Sequence, residues 1–252
     1  MTNYRVLVHK NGPALWPEHK PLAEVVSLQA TTPEAIWEAT YQGNPTPPGG
    51  QVFKRGWWTG KNRYHADEES LKILTVARWI SWDTGLKAKD TSDYSAFTVG
   101  ELQPDYRLII RQVQRERWEF PDLPAQMETV ARRYNYDGKL RGLIIEDKVS
   151  GTSAYQTLMA SAADWLRRIL IAFQPVGDKI QRAQQAAVWC KNECVLLPQP
   201  SVAVPWLVDF EDELFTFPGA THDDQVDSLD QLILYLENLL AEGWRARNSA
   251  PN

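Results

Sequence analysis

From Ala77 onward, the order in which hydrophobic periodicities succeed one another restricts this chain more than any other feature. Arg78 to Asp83 reads as a strand, Tyr94 to Leu102 as a second, and Tyr106 to Trp118, with Leu108, Ile109, Ile110 and Val113, as a third. The links between them include Gln103-Pro104-Asp105 and are short and polar, which predicts antiparallel neighbours. Helical spacing covers Pro121 to Tyr134, followed by the buried-type run Leu143-Ile144-Ile145 and a helix from about Thr152 to Ala163. Next come a strand at Ile169 to Phe173, a helix near Asp178 to Asn192, and a last helix from about Asp223 to Leu240. The order is β-β-β-α-β-α-β-α, with an acid-rich insertion before the final helix. It predicts an α/β fold: a mixed sheet, antiparallel in its first three strands and parallel in the next two, with helices on both faces.

The first 66 residues differ in character. They carry PTPPGG at 45–50 and Trp16, Trp37, Trp57 and Trp58 around one helix-like stretch from Pro33 to Tyr41, which Thr31 or Thr32 would cap. We read 1–66 as an arm, 67–245 as the domain and 246–252 as a flexible tail. No apolar run approaches the roughly 20 residues of a membrane span, and MTNYRVLVHKNG has no signal-peptide core, so a soluble, cytoplasmic chain is expected. Cys190 and Cys194 are too few for a disulfide framework or a zinc site and are read as ordinary thiols.

The net charge of -5 hides an asymmetry. Residues 1–191 hold 25 basic and 21 acidic side chains, a net of +4, whereas 192–244 hold 11 acids and no base. A basic body joined to an acidic stretch fits a solvated acidic face, or a protein that meets a polyanion while gathering carboxylates around cations. Position decides between these. Asp83 closes the first strand, and Glu146 closes Leu143-Ile144-Ile145, where sites form in open α/β sheets. The third group is HDDQVDSLDQL, His222 to Leu232. As a helix it sets Val226, Leu229, Ile233, Leu236 and Leu240 in an apolar stripe and brings Asp224 and Asp227, or Asp223 and Asp227, onto one face. Four aspartates at 223, 224, 227 and 230 exceed what helix capping needs. Acids converging from three segments suit a hard cation, Mg²⁺ or Mn²⁺, in a site of one or two ions.

ISWDTG (80–85), DYSAF (93–97), LIIEDKVSGT (143–152) and HDDQVDSL (222–229) together resemble the nuclease domain of tailed-phage terminase large subunits, a ribonuclease H-like fold. ALWPEHKPL (14–22) and YQGNPTPPGGQVFKRGWW (41–58) look like the connector between motor and nuclease in that family. The resemblance implies Asp83 as the ligand shared by two Mg²⁺ or Mn²⁺ ions, Glu146 as the second acid, and Asp224 and Asp227 completing the site, with Asp223 competing with Asp224. It also implies support from Asp93 at the rim, Lys148 at the scissile phosphate and His222 as a cap or supporting group. The implied activity is endonucleolytic cutting of concatemeric double-stranded DNA in the host cytoplasm. The implied partners are a motor domain or polypeptide, the small terminase subunit and the portal.

The terminase motor's phosphate loop, G-x-x-x-x-G-K-[ST], has no counterpart here; GWWTGKN from Gly56 to Asn62 has the wrong spacing. We therefore expect no ATP site in this chain, which would be an isolated nuclease domain or a split-gene product, or would work with a separate motor. Phosphate contacts are expected from Arg111, Arg115, Arg132, Arg133, Lys179 and Arg182, with little sequence choice. In a straight strand Arg111, Arg115 and Arg117 would share one face. A non-catalytic docking or regulatory module of the packaging machinery, and a resolvase- or transposase-type nuclease, are the alternatives.

Overall fold

The computed structural model describes residues 14, 17–33, 36–41, 52–66, 74–85, 94–119, 121–146 and 149–248. After helix α1 (Leu22–Thr31), strands β1 (Arg63–Tyr64), β2 (Ala77–Asp83), β3 (Ser95–Leu102) and β4 (Leu108–Glu116) come in order. Helix α2 (Leu123–Tyr134), strand β5 (Leu140–Glu146), helices α3 (Val149–Ser161) and α4 (Asp164–Arg167) and strand β6 (Leu170–Phe173) come next. The chain ends with α5 (Lys179–Lys191), β7 (Val195–Pro198), α6 (Trp206–Thr216) and α7 (Asp224–Asn248). The strands form one seven-stranded sheet in the order β1-β7-β4-β3-β2-β5-β6. β3 pairs antiparallel with β2 and β4, while β5 runs parallel to β2 and β6. The mixed α/β sheet flanked by helices is the one expected.

Both faces of the central strands are covered, which is why they read as nearly continuous apolar runs. Ile80, Trp82, Phe97, Val99, Leu143 and Ile145 pack under Leu123 and Met127 of α2 and Ala154 and Leu158 of α3. On the other face Trp79, Leu108, Ile110 and Ile144 meet Ala183 and Ala186 of α5, Phe210 and Leu214 of α6, and Val226, Leu229 and Ile233 of α7. Gly100 permits the close approach of α7: a β-carbon there would lie 2.6 Å from Leu232 Cδ2 and 2.8 Å from Leu108 Cδ1.

Locally the structure adds detail to the expected pattern. The helical stretch expected before Tyr41 is present, with Ile36 helical, the Trp37 N–H donating to the Pro33 carbonyl at 2.8 Å and Trp37–Tyr41 continuing as a π-helical turn; α1 precedes it. The Thr31 and Thr32 hydroxyls donate back to the Ser27 and Leu28 carbonyls and close α1; residues 34 and 35, whose N–H groups a cap ahead of Pro33 would reach, lie outside the described residues. The acid-rich insertion contains β7 and α6, with Glu211 and Glu213 turned inward. Residues 52–66, read from sequence as part of an arm, contribute edge strand β1 and the core side chains Phe53 and Trp58. The Trp58 indole N–H donates to the Val195 carbonyl at 3.0 Å, and the Tyr64 hydroxyl to the Ile110 carbonyl at 2.6 Å. Both cysteines are free thiols, and Cys190 is buried. No described helix is long and apolar enough to cross a membrane.

Candidate active site

β2 and β5 are parallel neighbours paired through Trp82 and Ile145. One position further along, both strands end, β2 in Asp83 and β5 in Glu146. Both carboxylates are buried. Alternation along the strands turns them toward α7, because Ser81 and Ile144, two residues earlier, already face that helix. Two acids are thus set side by side at one sheet edge.

α7 supplies the rest, and polar contacts fix where it starts. Ser228 and Thr98 hydroxyls meet at 2.7 Å, and Leu232 crosses Gly100, so α7 runs parallel to β3 and opposite to β2. Its first turn therefore lies over the end of β2 that carries Asp83. Gln231 Nε2 donates to Ser81 Oγ at 2.9 Å and to the Trp82 carbonyl at 3.1 Å. Asp227, four residues earlier, lies about 6 Å further along the helix axis. Glu213 of α6 holds the helix start, accepting from the Gln225 N–H at 2.7 Å, the Val226 N–H at 3.0 Å and Gln225 Nε2 at 2.8 Å. The Arg115 guanidinium pairs with it at 2.5 Å.

Electrostatics in the first turn are unusual for a helix start. Burial, reinforced by the charge of Asp223, pushes the Asp224 carboxyl above its ordinary value. Burial also raises Asp227, although Lys179 and Arg182 oppose it. Lys179 Nζ lies 2.8 Å from Asp223 Oδ1 and 2.6 Å from Asp227 Oδ2, and Arg182 reaches Asp227 Oδ1 at 3.2 Å. Burial works against the Lys179 charge, yet its bonds to the two aspartates outweigh this and raise its pKa. Asp230, one turn on, is fully buried, and neither of its oxygens has a hydrogen-bond partner among the described residues.

The expected ligands occupy these three elements, but they are not gathered as an ion-binding set. Among the described residues, no three His, Cys, Asp or Glu side chains are placed to hold an ion. The contacts of Asp227 supply a physical reason, since internal cations lie against both of its oxygens. The donor chemistry, carboxylate oxygens from three chain segments, fits a hard divalent cation. Asp93 and Lys148 lie outside the described residues. His222 stands edge-on to Tyr94, with ring centroids 4.9 Å apart.

The basic residues are more engaged than expected. Arg111 is the extra residue of a β-bulge, Val99 pairing with Gln112 and Gly100 with Ile110. The bulge turns Arg111 toward Glu101 and the Tyr64 ring, while Arg115 faces Glu213, so the two do not share a face. Arg132 pairs with Glu128 and lies over Trp165; Arg133 is exposed at the end of α2; Arg182 is buried. Sequence reasoning missed Glu213 and Gln231. Gln231 carried a usable signal, being a polar residue two positions past Leu229 in the sheet-facing stretch of α7.

Residues 80–236 match the family described as the terminase RNaseH-like domain. The chain superposes on the large terminase of a thermophilic bacteriophage with a TM-score of 0.58 at 10% identity, covering 84% of this chain and 50% of that one. For the ADP complex of that protein the TM-score is 0.57, at 10% identity, over 83% and 50% of the two chains. The Mn-soaked, inhibitor-bound human cytomegalovirus terminase nuclease domain gives 0.46 at 12% identity over 71% and 94%, a likeness too low to weigh. The chain spans about half the length of the phage protein, and at such identity the likeness concerns the fold. No curated protein sequence matches it.

Proposed function

The chain belongs to the terminase RNase H-like domain family, and from that membership we propose that it is a metal-dependent endonuclease that cuts concatemeric double-stranded DNA during phage genome packaging. The observation that carries the proposal is the pair Asp83 and Glu146, ending adjacent parallel strands beneath the helix turn that bears Asp224 and Asp227. These four, with Asp223 at the margin, would hold two Mg²⁺ or Mn²⁺ ions. When bound, the ions would activate water and stabilise the leaving oxygen of an in-line phosphodiester displacement. The chain's own part is positioning. Gln231 fixes the main chain just before Asp83, Glu213 fixes the helix start, and burial of Asp83 and Glu146 restricts water and strengthens their hold on a cation. No side chain is needed as a covalent nucleophile. The reading places the protein in the host cytoplasm, beside a motor polypeptide or domain, the small terminase subunit and the portal.

One observation favours the reading as a non-catalytic docking module: the neutralisation of Asp227 within the chain. A single assay separates the two. With Mn²⁺ or Mg²⁺ the protein nicks or linearises supercoiled plasmid, EDTA stops it, and Asp83→Asn lowers the rate by about 100-fold or more. Equal residual cutting by wild type and Asp83→Asn refutes catalysis.

A further inference from the structure

Lys179 opens α5, where its backbone is fixed by the Asp178–Gln181 capping box, but its side chain does not behave as a surface lysine. Its ammonium bridges Asp223 and Asp227 at 2.8 and 2.6 Å. Asp227 is buried, and its charged form would be costly without a cation beside it. Two are present, and they differ in how easily they can leave. Arg182 is buried, and its planar fork is held by Asp227 and by the Gly177 carbonyl at 3.3 Å. The Lys179 side chain is 44% exposed, ends in a compact point charge and sits on a flexible four-carbon stem. It can swing into water, whereas Arg182 cannot without unpacking α5 from α7.

The oxygens that Lys179 occupies belong to the acids a divalent ion would need, and an ammonium and a divalent cation repel each other at this range. We propose that Lys179 is the resting counter-ion of the acid cluster and competes with the divalent cation for Asp223 and Asp227, so that loading of the site and release of Lys179 are one event. This rests on the reading that these acids hold a metal. It gives the first turn a way to stay folded before metal arrives.

The test uses the full chain in two measurements. Calorimetric titration with MnCl₂ at fixed pH and ionic strength compares wild type with Lys179→Met, which keeps the stem, and with Lys179→Gln should the first fold poorly. Removing the competing charge tightens Mn²⁺ binding by about tenfold or more. Binding seen only in the variant is the extreme of the same result. Acylation of lysines, read by mass spectrometry, tracks release directly: labelling of Lys179 in wild type rises several-fold on replacing EDTA with Mn²⁺. A variant affinity equal to or weaker than wild type, or Lys179 labelling that does not rise, overturns the proposal. If wild type still cuts plasmid and binds Mn²⁺, only the role of Lys179 has failed. If neither protein binds Mn²⁺ and wild type does not cut, the metal-nuclease reading fails with it.

Discussion

Glu213 offers the sharpest test of how the acid-bearing helix is held. Its carboxylate satisfies two main-chain N–H groups at the start of α7, the Gln225 side-chain amide and the Arg115 guanidinium. In Glu213→Ala the two N–H groups lose their cap, which costs about 1–2 kcal/mol by analogy with N-cap removal. Arg115, with 21% of its side chain exposed, and the buried Gln225 amide lose their partner as well, adding about 1–2 kcal/mol after allowance for partial solvation. A total near 3 kcal/mol corresponds to a fall in Tm of about 6–12 °C for a domain of this size. Glu213→Gln retains an acceptor oxygen and loses mainly the charge opposite Arg115, so its Tm falls by only about 2–4 °C. Thermal unfolding monitored by circular dichroism in EDTA measures both. A fall below about 2 °C for the alanine variant refutes the capping role. Equal falls for both variants show that Arg115 pairing, not the helix cap, holds the helix start.

Two further outcomes rest on the packing. Gly100→Ala forces Leu232 and Leu108 apart where the new carbon would lie 2.6 and 2.8 Å from their methyls; the variant loses about 1–3 kcal/mol in urea unfolding, and an unchanged midpoint shows that α7 can give way freely. Asp230 has its pKa raised well above the ordinary value by burial and then by the charge of Asp227, so the folded state binds its proton more tightly than the unfolded chain does. Its stabilising contribution is complete below the ordinary aspartate range and is lost as pH rises toward the elevated folded value. Asp230→Asn therefore flattens the fall in stability as pH rises above the ordinary aspartate range, read as urea midpoints; parallel profiles for the two proteins contradict this assignment.

Strands β2 to β6, the paired acids and the last helix were legible because local pattern and chain direction place them: an apolar run that ends in an acid ends at a sheet edge wherever the sheet lies. Charge pairing was not legible, since it depends on contacts far apart in sequence. Glu213 and Arg115 are 98 residues apart, and Arg55 and Glu211 are 156 apart. A count along the chain therefore separates a basic body from an acidic stretch, whereas the fold puts members of the two together. Glu211 sits with Arg55 and Arg63, Glu213 with Arg115, and Asp223 and Asp227 with Lys179. Of the four acids between 209 and 213, Asp209 and Asp212 are exposed and Glu211 and Glu213 are buried, a division that matches the inward and outward faces of α6. Under the proposed function, the same contacts change how the basic residues would bear on DNA. Arg115, Lys179 and Arg182 already neutralise acids, so phosphate contact near the site would draw on the cation freed when the acid cluster exchanges its resident ammonium for metal. On this account metal loading prepares the site for phosphate twice over: it places a divalent charge among the acids and returns Lys179 to the surface.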